Sequence, residues 1–203
     1  RSTIVLYKSV CMIDSELFFL PGFMGKGSDF SKTATYLKSV IPNQNWNWPA
    51  LEKTMDFKGY SEHLWQTVSK TLPEQFYLYA YSMGGRIAMS WLSQSDFQRR
   101  CSGVFIASAH PGLSDKSDRQ DRWHHDNEWA LIFETEPLHI ALSRWYQQPV
   151  FSSLTNEEKD HQVQLKLTGE AKQYAHQLLS ASLANQDDYR FDFNQFENIA
   201  YIV

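Results

Sequence analysis

Residues 75–91 read QFYLYAYSMGGRIAMSW, and this stretch decides the fold. Phe76-Tyr77-Leu78-Tyr79 is a short, apolar, aromatic-rich run, the pattern of a buried strand. Met83, Ile87 and Trp91 then recur four apart, the spacing of one helix face. Between the two lies Tyr81-Ser82-Met83-Gly84, a G-x-S-x-G nucleophile elbow with Ala80 in the first glycine position. A strand-to-helix turn of this kind is so sharp that only small residues fit beside the serine. The serine itself is held in a strained conformation, its hydroxyl projecting from the top of the sheet. Ala80, Gly84 and Gly85 meet that demand. The start of the following helix offers free N–H groups and a positive dipole end, which favours an anion beside Ser82. A bare Ser-x-Gly means little. Strand, small residue, Ser, Gly-Gly and amphipathic helix in succession are much rarer, and an ordinary strand–turn–helix with an incidental serine is the competing reading.

Upstream, Ile4–Val10 and Glu16–Leu20 (ELFFL) read as strands, the second buried on both faces if central. It runs into Pro21-Gly22-Phe23-Met24-Gly25-Lys26-Gly27, a glycine-rich turn. No Gly-Lys-Ser/Thr follows, which argues against a phosphate loop. Ser28 or Asp29 is expected to cap a helix with Phe30, Ala34, Leu37 and Ile41 on its face. Asn43–Pro49 (NQNWNWP) falls where a third strand is due, but its Asn, Gln and Pro predict a short, irregular one. Ser61 is expected to open a helix with Leu64, Val68 and Leu72 on one face. Downstream of the elbow, Cys101–Ala109 is the next strand. The alternation is that of an α/β fold, a mostly parallel, doubly wound sheet. Ligands bind at the carboxyl ends of such strands, where Phe23, Ser82 and His110 would lie.

From Pro111 the texture changes to charged, aromatic-bearing helical patterns, near 115–133, 136–146, 155–167 and 170–184. We read residues 1–110 as core, 111–185 as a helical cap over the site, and 186–203 as a return to the core ending in a late strand, Asn198–Val203.

Composition excludes several function classes. With 42% hydrophobic and 21% charged residues the 203-residue chain is globular rather than disordered. A net charge of -4 leaves no broad basic face for nucleic acid or anionic lipid, so an anionic substrate needs locally placed Arg or Lys. The two cysteines, Cys11 and Cys101, are far apart and outside any CxxC, which suits a reducing cytoplasm and gives neither a disulfide framework nor a zinc site. No apolar run approaches a membrane span, and no obligate protein partner is evident. The first residue is Arg1 rather than Met, so a longer gene product is expected.

Four motifs carry a resemblance: YSMGGR (81–86), HPGL (110–113), TEPL (135–138) and WYQQPVF (145–151). On these the chain resembles the 2-succinyl-6-hydroxy-2,4-cyclohexadiene-1-carboxylate synthases of bacterial menaquinone biosynthesis, a family of the α/β-hydrolase superfamily. The resemblance implies an α/β-hydrolase fold with a helical cap. It also implies a lyase that eliminates pyruvate from a cyclohexene polycarboxylate, with no metal or organic cofactor. Ser82 would be the catalytic serine, acting as a base on a ring proton, and the backbone N–H groups of Phe23 and Met83 the oxyanion donors. Tyr81, Arg86, Arg122 and Trp145 match substrate positions of the family. Lys166 falls where a relative carries arginine, keeping the charge but losing the bidentate fork. Arg119, one turn before Arg122, is expected to be a solvated charge. His124-His125 is not read as a metal pair, because adjacent helical residues point apart.

Two departures stand out. Pro21-Gly22 replaces the usual His-Gly, and Pro49-Ala50-Leu51-Glu52-Lys53 replaces the D-x-P-G-x-G loop. The family's triad Asp and His fall beyond Val203, so a preparation ending there is expected to show little catalysis; a stand-in base such as His110 is the weaker alternative. The competing functions are a carboxylesterase or thioesterase sharing elbow and oxyanion turn, and a catalytically inactive binding module on the same fold. Cations at Arg86, Arg122 and Lys166 favour a polyanion over a neutral ester.

Overall fold

The computed structural model describes residues 16–31, 46–190 and 199–202. The expected strand at 4–10, the helix beyond Ser31, Cys11 and residues 191–198 lie outside them. Among the described residues four strands form one parallel sheet in the order β1 (Glu16–Leu20), β2 (Phe76–Tyr81), β3 (Cys101–Ala107) and β4 (Ile199–Ile202). Side chains alternate across it, as the pleat requires. Phe18 and Leu20 on β1 share one face with Phe76, Leu78 and Ala80 on β2 and Val104 and Ile106 on β3. Leu17, Phe19 and Tyr77 take the opposite face with Phe30. Parallel strands buried on both faces account for the near-continuous apolar runs of their sequences.

Helix α1 (Phe57–Val68) packs Phe57, Tyr60, Leu64 and Val68 onto the first face. Its cap is Asp56, whose Oδ1 accepts the Gly59 N–H at 2.7 Å, and not the expected Ser61, which sits buried within the helix. Helix α2 (Met83–Trp91) follows β2 directly and buries Met83, Ile87 and Trp91. The short α3 (Ser95–Arg100), unforeseen in the sequence, anchors through Phe97 against Trp65, Phe76 and Trp91. Of the irregular third strand expected at 43–49, the described residues 46–49 contribute one antiparallel bridge, Asn47 to Lys26, and residues 43–45 lie outside those described.

Gly84 decides how closely α2 can approach β1. A Cβ there would come within 2.4 Å of both the Leu20 and the Pro21 carbonyl oxygens, backbone atoms with nowhere to go. Gly84→Ala should therefore destabilise the protein by at least ~2 kcal/mol, above the middle of the overpacking range. A urea midpoint unchanged from the parent would contradict this close approach.

Between β3 and β4 run α4 (Lys116–Thr135), α5 (Leu138–Trp145), α6 (Asn156–Lys166) and α7 (Ala171–Ser180). Asp115 caps α4 by accepting the Ser117 and Asp118 N–H groups. Thr155 and Glu158 cap α6 reciprocally, Thr155 Oγ1 accepting the Glu158 N–H at 3.2 Å and Glu158 Oε2 the Thr155 N–H at 2.8 Å. These helices close a second apolar core around Phe133, Leu142, Val163 and Tyr174. Met24 is buried in it and Phe23 packs against it, so the turn after β1 plugs directly into the helical segment. No helix among the described residues is long and apolar enough to cross a membrane.

Candidate active site

Ser82 sits at φ 53°, ψ -116°, a region that side chains other than glycine's enter only under strain. Two bonds hold it there. Its own N–H reaches the Ala107 carbonyl at the end of β3 (2.9 Å), and its carbonyl accepts the Arg86 N–H, closing the first turn of α2 (3.1 Å). The half-buried Ser82 hydroxyl has no hydrogen-bond partner among the described residues.

The Pro21–Gly25 turn lies against this elbow. A Cβ on Gly22 would stand 3.3 Å from both Ser82 Cβ and a ring carbon of Tyr81. The turn closes with the Gly25 N–H on the Gly22 carbonyl (2.9 Å) and places Met24 at φ 58°. That positive φ would suit glycine; here the buried Met24 is held by packing and by its N–H on Gln177 Oε1 at 3.4 Å. Among the described residues neither the Phe23 N–H nor the Met83 N–H has an acceptor. Two unfilled donors thus flank a strained serine.

The cations come from α2 and α4. Arg86, one helical turn after Ser82, donates through Nη1 to the Ala181 carbonyl (2.6 Å) and to Gln186 Oε1 (3.3 Å). Arg122 Nε bonds both carboxylate oxygens of Asp126, at 2.9 and 3.0 Å. Asp126 is only 1% exposed and takes a further bond from Ser182 Oγ at 2.7 Å. Among the described residues Nε and Nη2 of Arg86 and both terminal nitrogens of Arg122 have no acceptor. Burial, reinforced by the like charge of Arg122, lowers the Arg86 guanidinium from 12.5 to about 10, so it remains charged at neutral pH. The same field reaches His110. Its imidazole is pushed below its ordinary range by desolvation first, then by Arg190, Arg86 and Arg122. Two arginines against one buried carboxylate leave net positive charge beside the elbow.

The remaining sequence candidates are placed as follows. Tyr81 is 45% exposed, its ring over Gly22. Trp145 packs against Phe23 with ring centroids 5.0 Å apart and edges onto Trp129 at the same separation. Lys166 is only 5% exposed and pairs with Asp29 Oδ2 at 3.1 Å, and no contact among the described residues joins it to Ser82, Arg86 or Arg122. His110 Nδ1 accepts the Gly112 N–H at 3.1 Å, and no described contact reaches Ser82. Arg119, expected to be solvated, instead donates to the Ala184 and Gln186 carbonyls at 2.9 and 2.8 Å. Three residues were overlooked in the sequence. Asp126 could have been found, four residues after Arg122 on one helix face. Gln186, which also donates to the His110 carbonyl at 3.1 Å, and Trp48 carry no local signal.

No family model matches the chain. It is 33% identical over 186 residues to the 2-succinyl-6-hydroxy-2,4-cyclohexadiene-1-carboxylate synthase of Klebsiella pneumoniae, covering 86% of this chain and 70% of the relative. It is 35% identical over 179 residues to the enzyme of that name from Escherichia coli, with the same coverage. Among solved structures, MenH from S. aureus superposes with a TM-score of 0.71 at 19% identity, covering 92% of this chain and 73% of that one. A carboxylesterase from Nitrososphaera gargenis follows at 0.68 and 8% identity, covering 91% and 70%. At such identities the structural likenesses establish an α/β-hydrolase fold and nothing finer.

Proposed function

The chain belongs to the 2-succinyl-6-hydroxy-2,4-cyclohexadiene-1-carboxylate synthase family, and from that premise we propose that it eliminates pyruvate from 2-succinyl-5-enolpyruvyl-6-hydroxy-3-cyclohexene-1-carboxylate. The observation that carries this reading is the pair Arg86 and Arg122, both with unfilled donors, beside a strained serine. Two cations there favour a substrate bearing several carboxylates over a neutral ester.

In this reading Ser82 Oγ, made basic by a histidine, takes a proton from the ring. The electron pair of the broken C–H bond at ring carbon 2 forms a double bond to carbon 3, the existing 3,4 double bond shifts to 4,5, and the carbon–oxygen bond from carbon 5 to the enolpyruvyl group breaks, its electron pair leaving with the oxygen. The released enolpyruvate takes up a proton and becomes pyruvate. Charge that builds on the substrate is met by the Phe23 and Met83 N–H groups, fixed donors that need no reorganisation. Arg86 and Arg122 bind carboxylates and orient the ring, Asp126 holding Arg122 with its free edge outward. Tyr81 lines the opening. Trp145 acts through the Phe23 ring, and residues 111–185 serve as the cap. Lys166 would have to leave Asp29 to reach a carboxylate, so we assign it to tying α6 to the Gly27–Phe30 turn.

Pyruvate release from the cyclohexene substrate, followed by coupling to lactate dehydrogenase, tests the proposal on the full gene product. Turnover of that substrate with p-nitrophenyl acetate hydrolysis near background is expected. Rapid ester hydrolysis without pyruvate release would overturn it in favour of an esterase.

A further inference from the structure

The Gly22 carbonyl accepts two hydrogen bonds. One comes from the Gly25 N–H and closes the turn; the other comes from the indole Nε1–H of Trp48, 26 residues away, at 3.1 Å. The peptide bond between Gly22 and Phe23 is trans, as are all the described peptide bonds. In a planar trans peptide the carbonyl and the N–H point in opposite directions, so whatever fixes the Gly22 oxygen fixes the Phe23 N–H. We propose that Trp48 is a positioning residue for the elimination, holding the Gly22–Phe23 peptide so that the Phe23 N–H is aimed in advance at the developing negative charge. The inference rests on the family reading above.

The arrangement needs an outside anchor. The turn places Met24, a residue with a Cβ, at φ 58°, which local preference disfavours; packing and the Gln177 bond hold Met24 itself, and the Trp48 bond holds the peptide before it. Trp48 is itself held: its ring edges onto Trp46 with centroids 4.8 Å apart and tilts over Tyr60 at 6.4 Å. Pro49 follows and biases Trp48 to an extended backbone. This is the segment where the chain departs from the D-x-P-G-x-G loop.

Removing an oxyanion donor outright typically costs 10²–10³ in kcat; letting one wander costs less, and we expect about tenfold for Trp48→Phe, with KM within about twofold. Replacing Trp48 by benzothienylalanine, which keeps the bicyclic shape but puts sulfur in place of the N–H, separates the hydrogen bond from packing. The same fall in kcat is expected, with the thermal midpoint of the parent. A packing role would leave the benzothienyl protein at parental rate. If the parent releases pyruvate and both variants keep kcat within twofold, the inference fails alone. If the parent releases none, the family reading fails and takes the inference with it.

Discussion

Ser82→Ala should lower pyruvate release by at least ~10³-fold, within the range for losing a positioned acid–base group, while substrate still binds with nearly parental affinity. The split follows from where the hydroxyl sits. The donors proposed for the carboxylates are on Arg86 and Arg122, and Ser82 Oγ has no hydrogen-bond partner among the described residues, so removing it breaks no hydrogen-bond network there. Alanine keeps a Cβ at φ 53° and with it the backbone strain, so Ser82→Ala should unfold at the parental urea concentration. Ser82→Gly should lose activity equally yet gain about 1 kcal/mol, the low end of the cost of such a conformation. Rates and urea midpoints of the two variants read both effects on the full gene product. A Ser82→Ala protein that still eliminates pyruvate at a tenth of the parental rate would sink the catalytic assignment.

What was legible in the sequence was whatever short-range sterics dictate. The elbow could be read because its glycines sit at fixed offsets from a serine, and Gly84 shows the reason: nothing larger fits against the Leu20 and Pro21 carbonyls. The parallel pairing of β1 to β3 is legible in strands alternating with helices; their order is not. Arg86 could be placed because one helical turn separates it from Ser82. Legibility ended where a partner is chosen by tertiary contact. Trp48 reads as part of a poor strand, and only the folded turn gives its indole a carbonyl to bind. Lys166 reads as an arginine substitute, but Asp29, 137 residues earlier, pairs with it. Arg119 and Arg122 look alike on one charged helix. One closes a loop through two carbonyls, and the other turns its outer edge free because Asp126 holds its inner one. Helix α1 starts after Asp56 rather than at Ser61: both residue types can cap, and burial of Phe57 and Tyr60 selects the earlier.

The second large effect is expected at Arg86. Arg86→Gln should weaken substrate binding by about 10²–10³-fold, the equivalent of one or two charge-assisted hydrogen bonds in a partly desolvated site. Glutamine ends where Arg86 Nε stands, two bonds short of Nη1, so the bond to the Ala181 carbonyl is lost as well, and the urea midpoint read beside the affinity separates lost binding from lost fold. Arg86→Lys should recover only part of it, because an ammonium lacks the fork that serves Ala181 and Gln186 through one nitrogen and leaves the others for a carboxylate. The pH dependence separates charge from shape. Burial and Arg122 bring the Arg86 guanidinium down to about 10, and binding requires its protonated form. Affinity should therefore stay level from neutral pH to about pH 9 and fall above about 10, a fall the Arg86→Gln protein should lack. Calorimetric titration with the substrate at several pH values measures both. If Arg86→Gln bound as tightly as the parent, the positive charge beside Ser82 would be structural, and the polycarboxylate reading would lose its strongest support.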